Sequence, residues 1–129
     1  MSDYNPPVKD MLFVFDELCD LKGLSSLPTF SEITRDMVDH ILNESAKFTS
    51  EVLAPLNQSG DQEASVLTDG NVTTPVGFKE AYASFIEGGW NGTPFETKHG
   101  GMSLPWTLTT SLQEMWQSAN LAWALCPLL

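Results

Sequence analysis

Apolar and polar positions recur at helical spacing in four stretches of the chain. From Val8 to Leu21, the residues Met11, Leu12, Val14, Phe15, Leu18 and Cys19 form a wide apolar stripe, which predicts an amphipathic helix. Pro6 and Pro7 suit its first turn, Asp10 suits the positive end of its dipole, and Gly23 fits a C-terminal cap. Leu24 to Phe30, with Ser25, Ser26 and Pro28, reads as a connector. A second helix follows Thr34, a good N-cap, with Asp36 in its first turn. Its apolar face is Met37, Val38, Ile41, Leu42, Phe48, Val52 and Leu53, with Ser45 among them. Pro55 is expected to end it, because proline cannot continue the backbone ladder.

The texture then changes. Asn57 to Ala64 is polar, and Val66 to Thr73 places an Asp69-Gly70 turn between two short β-prone runs, so a small hairpin or ordered loop is expected. Thr74 and Pro75 suit the start of a third helix with the stripe Phe78, Ala81, Tyr82, Phe85 and Ile86, stopping at Gly88-Gly89. Trp90 to Pro105 is a loop rich in Gly, Pro and Thr. Leu108, Leu112, Met115, Trp116, Ala119, Ala122 and Leu125 then predict one last helix to about Cys126. Four helices with one β-like break make the fold class all-α.

Length and charge narrow the possibilities. The 129 residues are enough for one compact domain. Seventeen acids against six bases give a net charge of −11, which disfavours nucleic acid and anionic membrane surfaces as partners. Cys19 and Cys126 lie far apart, which fits reduced thiols in the cytoplasm better than a disulfide scaffold. The first ten residues show no basic region followed by an apolar one, so no secretory signal is expected. The nearest candidate for a membrane span, Met115 to Leu129, is shorter than the ~20 residues required and contains Gln117, Ser118 and Asn120. The apolar run Ala122 to Leu129 carries no polar tail, and suggests a cut through a larger fold.

Catalytic chemistry is sparse. His40 stands on the second helix with Glu44 one turn on, but two groups do not make a metal site. His99 lies in the glycine loop and reads first as an exposed loop residue. No GxSxG, GxGxxG or Walker A stretch occurs. Trp90, Trp106, Trp116 and Trp123 cluster late and suit packing better than a pocket wall. The residues alone describe an acidic helical domain without an evident catalytic set or metal site.

A series of short motifs adds to this. They are Glu51-Val-Leu-Ala-Pro-Leu-Asn57, Ser59-Gly-Asp61, Val72-Thr-Thr-Pro75, Gly77-Phe-Lys-Glu-Ala-Tyr82 and Glu87-Gly-Gly-Trp90, then His99-Gly-Gly-Met-Ser-Leu-Pro105, Glu114-Met115 and Ser118-Ala-Asn120. In this order they resemble the N-terminal helical domain of the acyl-CoA dehydrogenases, in particular a long bacterial branch acting on methylthiopropionyl-CoA, which also opens with an extra helical segment. The resemblance implies an N-terminal extension over 1–30 and the family's N-terminal α domain over 31–129, with the flavin-binding β domain and the C-terminal α domain outside these residues. It implies FAD as cofactor, an acyl-CoA substrate dehydrogenated at Cα and Cβ, an electron-transfer flavoprotein as acceptor, and a homo-oligomer.

For single residues the resemblance implies the following. The helix after the glycine loop lines one side of the acyl pocket, and the matching positions are Ala124, Pro127 and Leu128. Gly100 and Gly101 form the loop near that site. Glu114 matches a recurring acidic position and is not the catalytic base, so no catalytic residue is expected in this stretch. Met102-Ser103 departs from the family's pattern of a small or polar residue followed by glycine, which puts the loop's path in question. The alternative is a stand-alone, non-catalytic helical module that pairs with a partner protein.

Overall fold

The structure, a computed structural model, describes residues 4–128. Helix α1 (Val8–Glu17) buries Met11, Leu12 and Phe15 of its expected stripe, while Val14 and Cys19 stay exposed. It does not continue to Leu21. The N–H groups of Leu18 and Cys19 both donate to Val14 O, at 2.9 and 3.0 Å, and Asp20 turns left-handed at φ 45°. Asp20 Oδ1 then accepts from Gly23 N–H at 3.1 Å and caps a short helix, α2 (Leu21–Ser25). Aspartate offers the backbone this local alternative and tolerates the left-handed region. Gly23 therefore lies inside α2 and does not cap α1, and Leu18, at 74% exposure, drops out of the apolar stripe.

Thr34 caps α3 (Arg35–Phe48) as expected, its Oγ1 accepting from Met37 N–H at 3.1 Å. Pro55 does not end this helix. A π turn over Thr49–Leu53 connects α3 directly to α4 (Ala54–Glu63), and Pro55 sits in the first turn of α4. Ala54 N–H donates to Thr49 O, five residues back. That wider turn accommodates a ring that would otherwise clash one turn earlier and a residue with no N–H to give. The hydroxyls of Thr49 and Ser50 donate to Ser45 O and Ala46 O in the preceding turn. The polar run from Asn57 is consequently helix, with Gly60 buried under the Phe78 ring.

Strands β1 (Val66–Thr68) and β2 (Asn71–Thr73) form the expected hairpin, with Leu67 opposite Val72. Asp69 and Gly70 both take positive φ, 49° and 78°, as a two-residue turn between right-twisting strands requires. Helix α5 (Phe78–Glu87) starts three residues beyond Pro75, after Gly77 at φ 88°. Pro75 is instead buried and its carbonyl accepts from Phe78 N–H at 3.3 Å. The helix stops at Gly88-Gly89, as its sequence predicts.

The last expected helix is two. Helix α6 (Trp106–Ala119) follows Pro105, and α7 (Leu121–Leu128) follows a break at Asn120. Leu129, the last residue of the apolar run, lies outside the described residues. Val38 and Leu42 of α3, Leu53, and Leu108, Leu112 and Met115 of α6 are fully buried. Each such side chain contributes about 1.5–3 kcal/mol on leaving water. Phe85 of α5 meets Trp116 and Trp123 edge-on, with ring centroids 4.9 and 5.4 Å away. The molecule is all-α, with the hairpin the sole sheet among the described residues.

Candidate functional site

Three hydrogen bonds, two of them fully buried, tie α6 and α7 to the α3–α5 part of the fold. Trp116 Nε1 donates to Ser45 Oγ at 3.1 Å. Asn120 Nδ2 donates to Leu53 O, at the end of the π turn, at 3.3 Å. Trp123 Nε1 donates to Phe78 O at 3.2 Å. At Asn120 the backbone leaves the helical region at φ −157°, ψ 85°, while its N–H still donates to Trp116 O at 3.0 Å. Its Oδ1 accepts from Trp123 N–H at 3.1 Å, so one side chain closes α6 and caps α7. Among the described residues, no buried side-chain nitrogen or oxygen lacks a partner.

Two clefts flank this core. One, of about 500 Å³, lies between α3 and the loop after α5, with Trp90 and Met102 facing His40, Glu44, Lys47 and Glu51. The other, of about 470 Å³, lies between the hairpin, α5 and α7 and is lined by Phe78, Lys79, Tyr82, Ala122, Trp123 and Cys126. Helix α7 thus presents Ala122, Trp123 and Cys126 to the second cleft. Ala124 points into the core with no exposed surface, and Pro127 and Leu128 are half-buried beyond it. The structure brings these three candidates onto one helix without placing them in either cleft.

The glycine loop closes on itself. Met102 N–H donates to Gly92 O at 2.9 Å, Ser103 N–H to Phe95 O at 2.8 Å and Leu104 N–H to Thr93 O at 2.8 Å. Gly101 lies so close to the Phe95 and Gly92 backbones that a Cβ there would strike Phe95 O. Gly100 takes φ 82° with open space around it. Ser103, standing where glycine is more usual in the resembled family, takes φ 53° and its Oγ accepts from Thr97 N–H at 3.1 Å. The loop reaches the first cleft through Met102, with Gly101 and Gly100 one and two residues behind.

The remaining candidates separate. His40 is exposed on the rim of the first cleft, and His99 is exposed in a short turn, Thr97–His99. Glu114 is exposed on α6. Trp116 and Trp123 are buried, while Trp106 is 62% exposed. Cys19 and Cys126 are exposed and free. Burial pushes the Tyr4 phenol above its ordinary value; the Ser118 hydroxyl opposes this and the Glu114 charge reinforces it. Among the described residues, no group of three His, Cys, Asp or Glu side chains could hold a metal ion, and no helix is long and apolar enough to cross a membrane.

The donors of these two clefts do not fit a flavin. A dinucleotide pyrophosphate needs converging N–H or cationic donors. Each cleft offers one lysine, Lys47 or Lys79, and the first sets Glu44 and Glu51 beside it.

No family model matches the chain. A curated relative does, the 3-methylmercaptopropionyl-CoA dehydrogenase of Ruegeria pomeroyi, which is 37% identical over 126 residues. The chain is similar to part of an acyl-CoA dehydrogenase. The match covers 98% of the chain, which spans about a fifth of the relative's length, 21%. In this dehydrogenase-like chain the similarity runs through α1 and α2 as well as the bundle, and both share one core, since Met11, Leu12, Phe15 and Leu21 pack with Val38 and Leu42. Asn120 is the feature that sequence reasoning missed. Its signal was a strong N-capping residue inside an otherwise apolar helical period, directly before a second apolar run.

Proposed function

We propose that the chain is the helical N-terminal part of a FAD-dependent acyl-CoA dehydrogenase, in which it closes one side of the acyl pocket. The observation that carries this reading is the 37% identity across 98% of the chain. A flavin bound elsewhere in the enzyme would supply hydride acceptance from an acyl-CoA thioester. Residues 1–30 form an extension and 31–129 the N-terminal α domain. Of the three positions on α7, Pro127 and Leu128 face the pocket wall while Ala124 packs behind them in the core, and the loop at Gly100 and Gly101 lies near it. Small and apolar side chains there suit a thin alkyl or thioether chain, because such a wall selects by volume. The whole enzyme acts in the cytoplasm as a homo-oligomer and passes electrons to an electron-transfer flavoprotein.

The test is made on the native gene product, captured from its own cells with an antibody against this chain. The expected species is several times heavier than 14.2 kDa, carries an oxidised-flavin absorbance, and loses that absorbance when an acyl-CoA is added without oxygen. A flavin-free product of 14.2 kDa overturns the reading and favours a helical module with a separate partner.

A further inference from the structure

We propose that Asn120 is the positioning residue that aims α7, and that its amide is required because it must donate and accept at once. The proposal rests on the reading above for what α7 does as a pocket wall, but not for how the helix is held. Asn120 is 1% exposed, so water cannot replace either of its side-chain bonds. Nδ2 holds Leu53 O on the neighbouring rod while Oδ1 holds Trp123 N–H in the first turn of α7. The backbone carbonyl of Asn120 also accepts from Ala124 N–H at 3.0 Å, so the core residue behind the proposed wall is tied directly to the joint. Pro127 and Leu128 lie farther along the same lever. At a rise of 1.5 Å per residue, a 10° tilt about Asn120 moves the far end of α7 by roughly 2 Å.

An ordinary helix cap does not make this demand. Asparagine and aspartate are near-equal as N-caps, because each accepts from the first turn. At Asn120 the second bond separates them. A carboxylate accepts from Trp123 N–H but sets its other oxygen against Leu53 O, carbonyl against anion, in a buried site. A protonated carboxyl has a hydroxyl to give and restores both bonds.

Asn120→Asp, made in the full chain and compared with Asn120→Ala and the native sequence by chemical denaturation, tests this. At neutral pH the expected folded-to-unfolded ratio of Asn120→Asp is about a hundredfold below native and lower than that of Asn120→Ala. Burial raises the introduced carboxyl's folded pKa above its unfolded value, so the deficit is full above the folded pKa and closes as pH falls through it towards about 4. Asn120→Ala has no titratable group and keeps a constant deficit relative to native. An Asn120→Asp chain as stable as native at neutral pH, or a deficit independent of pH, overturns the proposal.

A second readout separates aiming from mere stability. In the whole enzyme purified from its own cells, below the melting range of both forms, Asn120→Asp is expected to shift the ratio of kcat/KM between a long and a short acyl-CoA by about threefold or more. An unchanged ratio overturns the aiming role. Failure of the unsubstituted enzyme to oxidise any acyl-CoA overturns the functional reading instead, and the pH-dependent stability comparison still decides what the amide does.

Discussion

Gly101→Ala is the sharpest test of the glycine loop, because Gly100→Ala beside it supplies an internal control. A Cβ at Gly101 would stand 2.8 Å from Gly92 O and closer still to Phe95 O, and both are backbone atoms that no rotamer change can move. Relief requires the 92–95 turn to separate from the 101–103 strand of the loop. That separation breaks the bonds from Met102 N–H to Gly92 O, 2.9 Å, and from Ser103 N–H to Phe95 O, 2.8 Å. Overpacking costs about 1–3 kcal/mol and each lost hydrogen bond about 1 kcal/mol. Water at this surface recovers part of the second sum, so the expected loss is about 2–4 kcal/mol. At Gly100 an added methyl meets nothing within 4 Å, and the cost is the left-handed φ of 82°, about 1 kcal/mol. Urea unfolding followed by far-ultraviolet circular dichroism reads both. Gly101→Ala should lower the midpoint at least twice as far as Gly100→Ala, with an unchanged slope. Equal or reversed effects would refute the argument that the second glycine is there for close approach and not for backbone freedom.

Other outcomes follow from the same geometry. Trp116→Phe and Ser45→Ala each remove one end of a buried 3.1 Å hydrogen bond, so each should cost about 1–3 kcal/mol and the double variant less than their sum in a double-mutant cycle. Arg35→Ala removes the pair with Asp16, whose side chains are 42% and 40% exposed, and should cost less than about 1 kcal/mol, shrinking further in high salt during denaturation at two ionic strengths. Tyr4 holds its phenolic proton more tightly folded than unfolded, so stability should fall as pH rises past about 10, and Tyr4→Phe should flatten that fall in alkaline melts.

The candidate site was legible only in part. Similarity placed Ala124, Pro127 and Leu128 on the last helix, and they do share it. Periodicity could not say which way that helix faces, because α7 is apolar nearly all round and its burial is chosen by Asn120 and Trp123 hydrogen bonds to distant residues. The same is true of Met102 against Trp90: only the closed loop, which brings Met102 N–H to Gly92 O, sets that pair in one cleft.

The sequence by itself determined what short-range physics can decide. Thr34 as a cap, the Asp69-Gly70 turn, the stop at Gly88-Gly89 and the all-α class all depend on groups within a few residues of one another. The tertiary structure decided the continuations. Pro55 looked like an end, but the π turn before it carried the helix through, with the buried Thr49 hydroxyl bonded back to Ser45 O and Asn120 tying the turn to the last helices. Ala119 to Ala122 looked like unbroken helix, but an asparagine with a buried carbonyl to reach, 67 residues away, broke it. A local pattern records which faces are apolar. Whether a strained turn or a break is stable depends on a partner for its freed polar groups, and that partner comes from elsewhere in the fold.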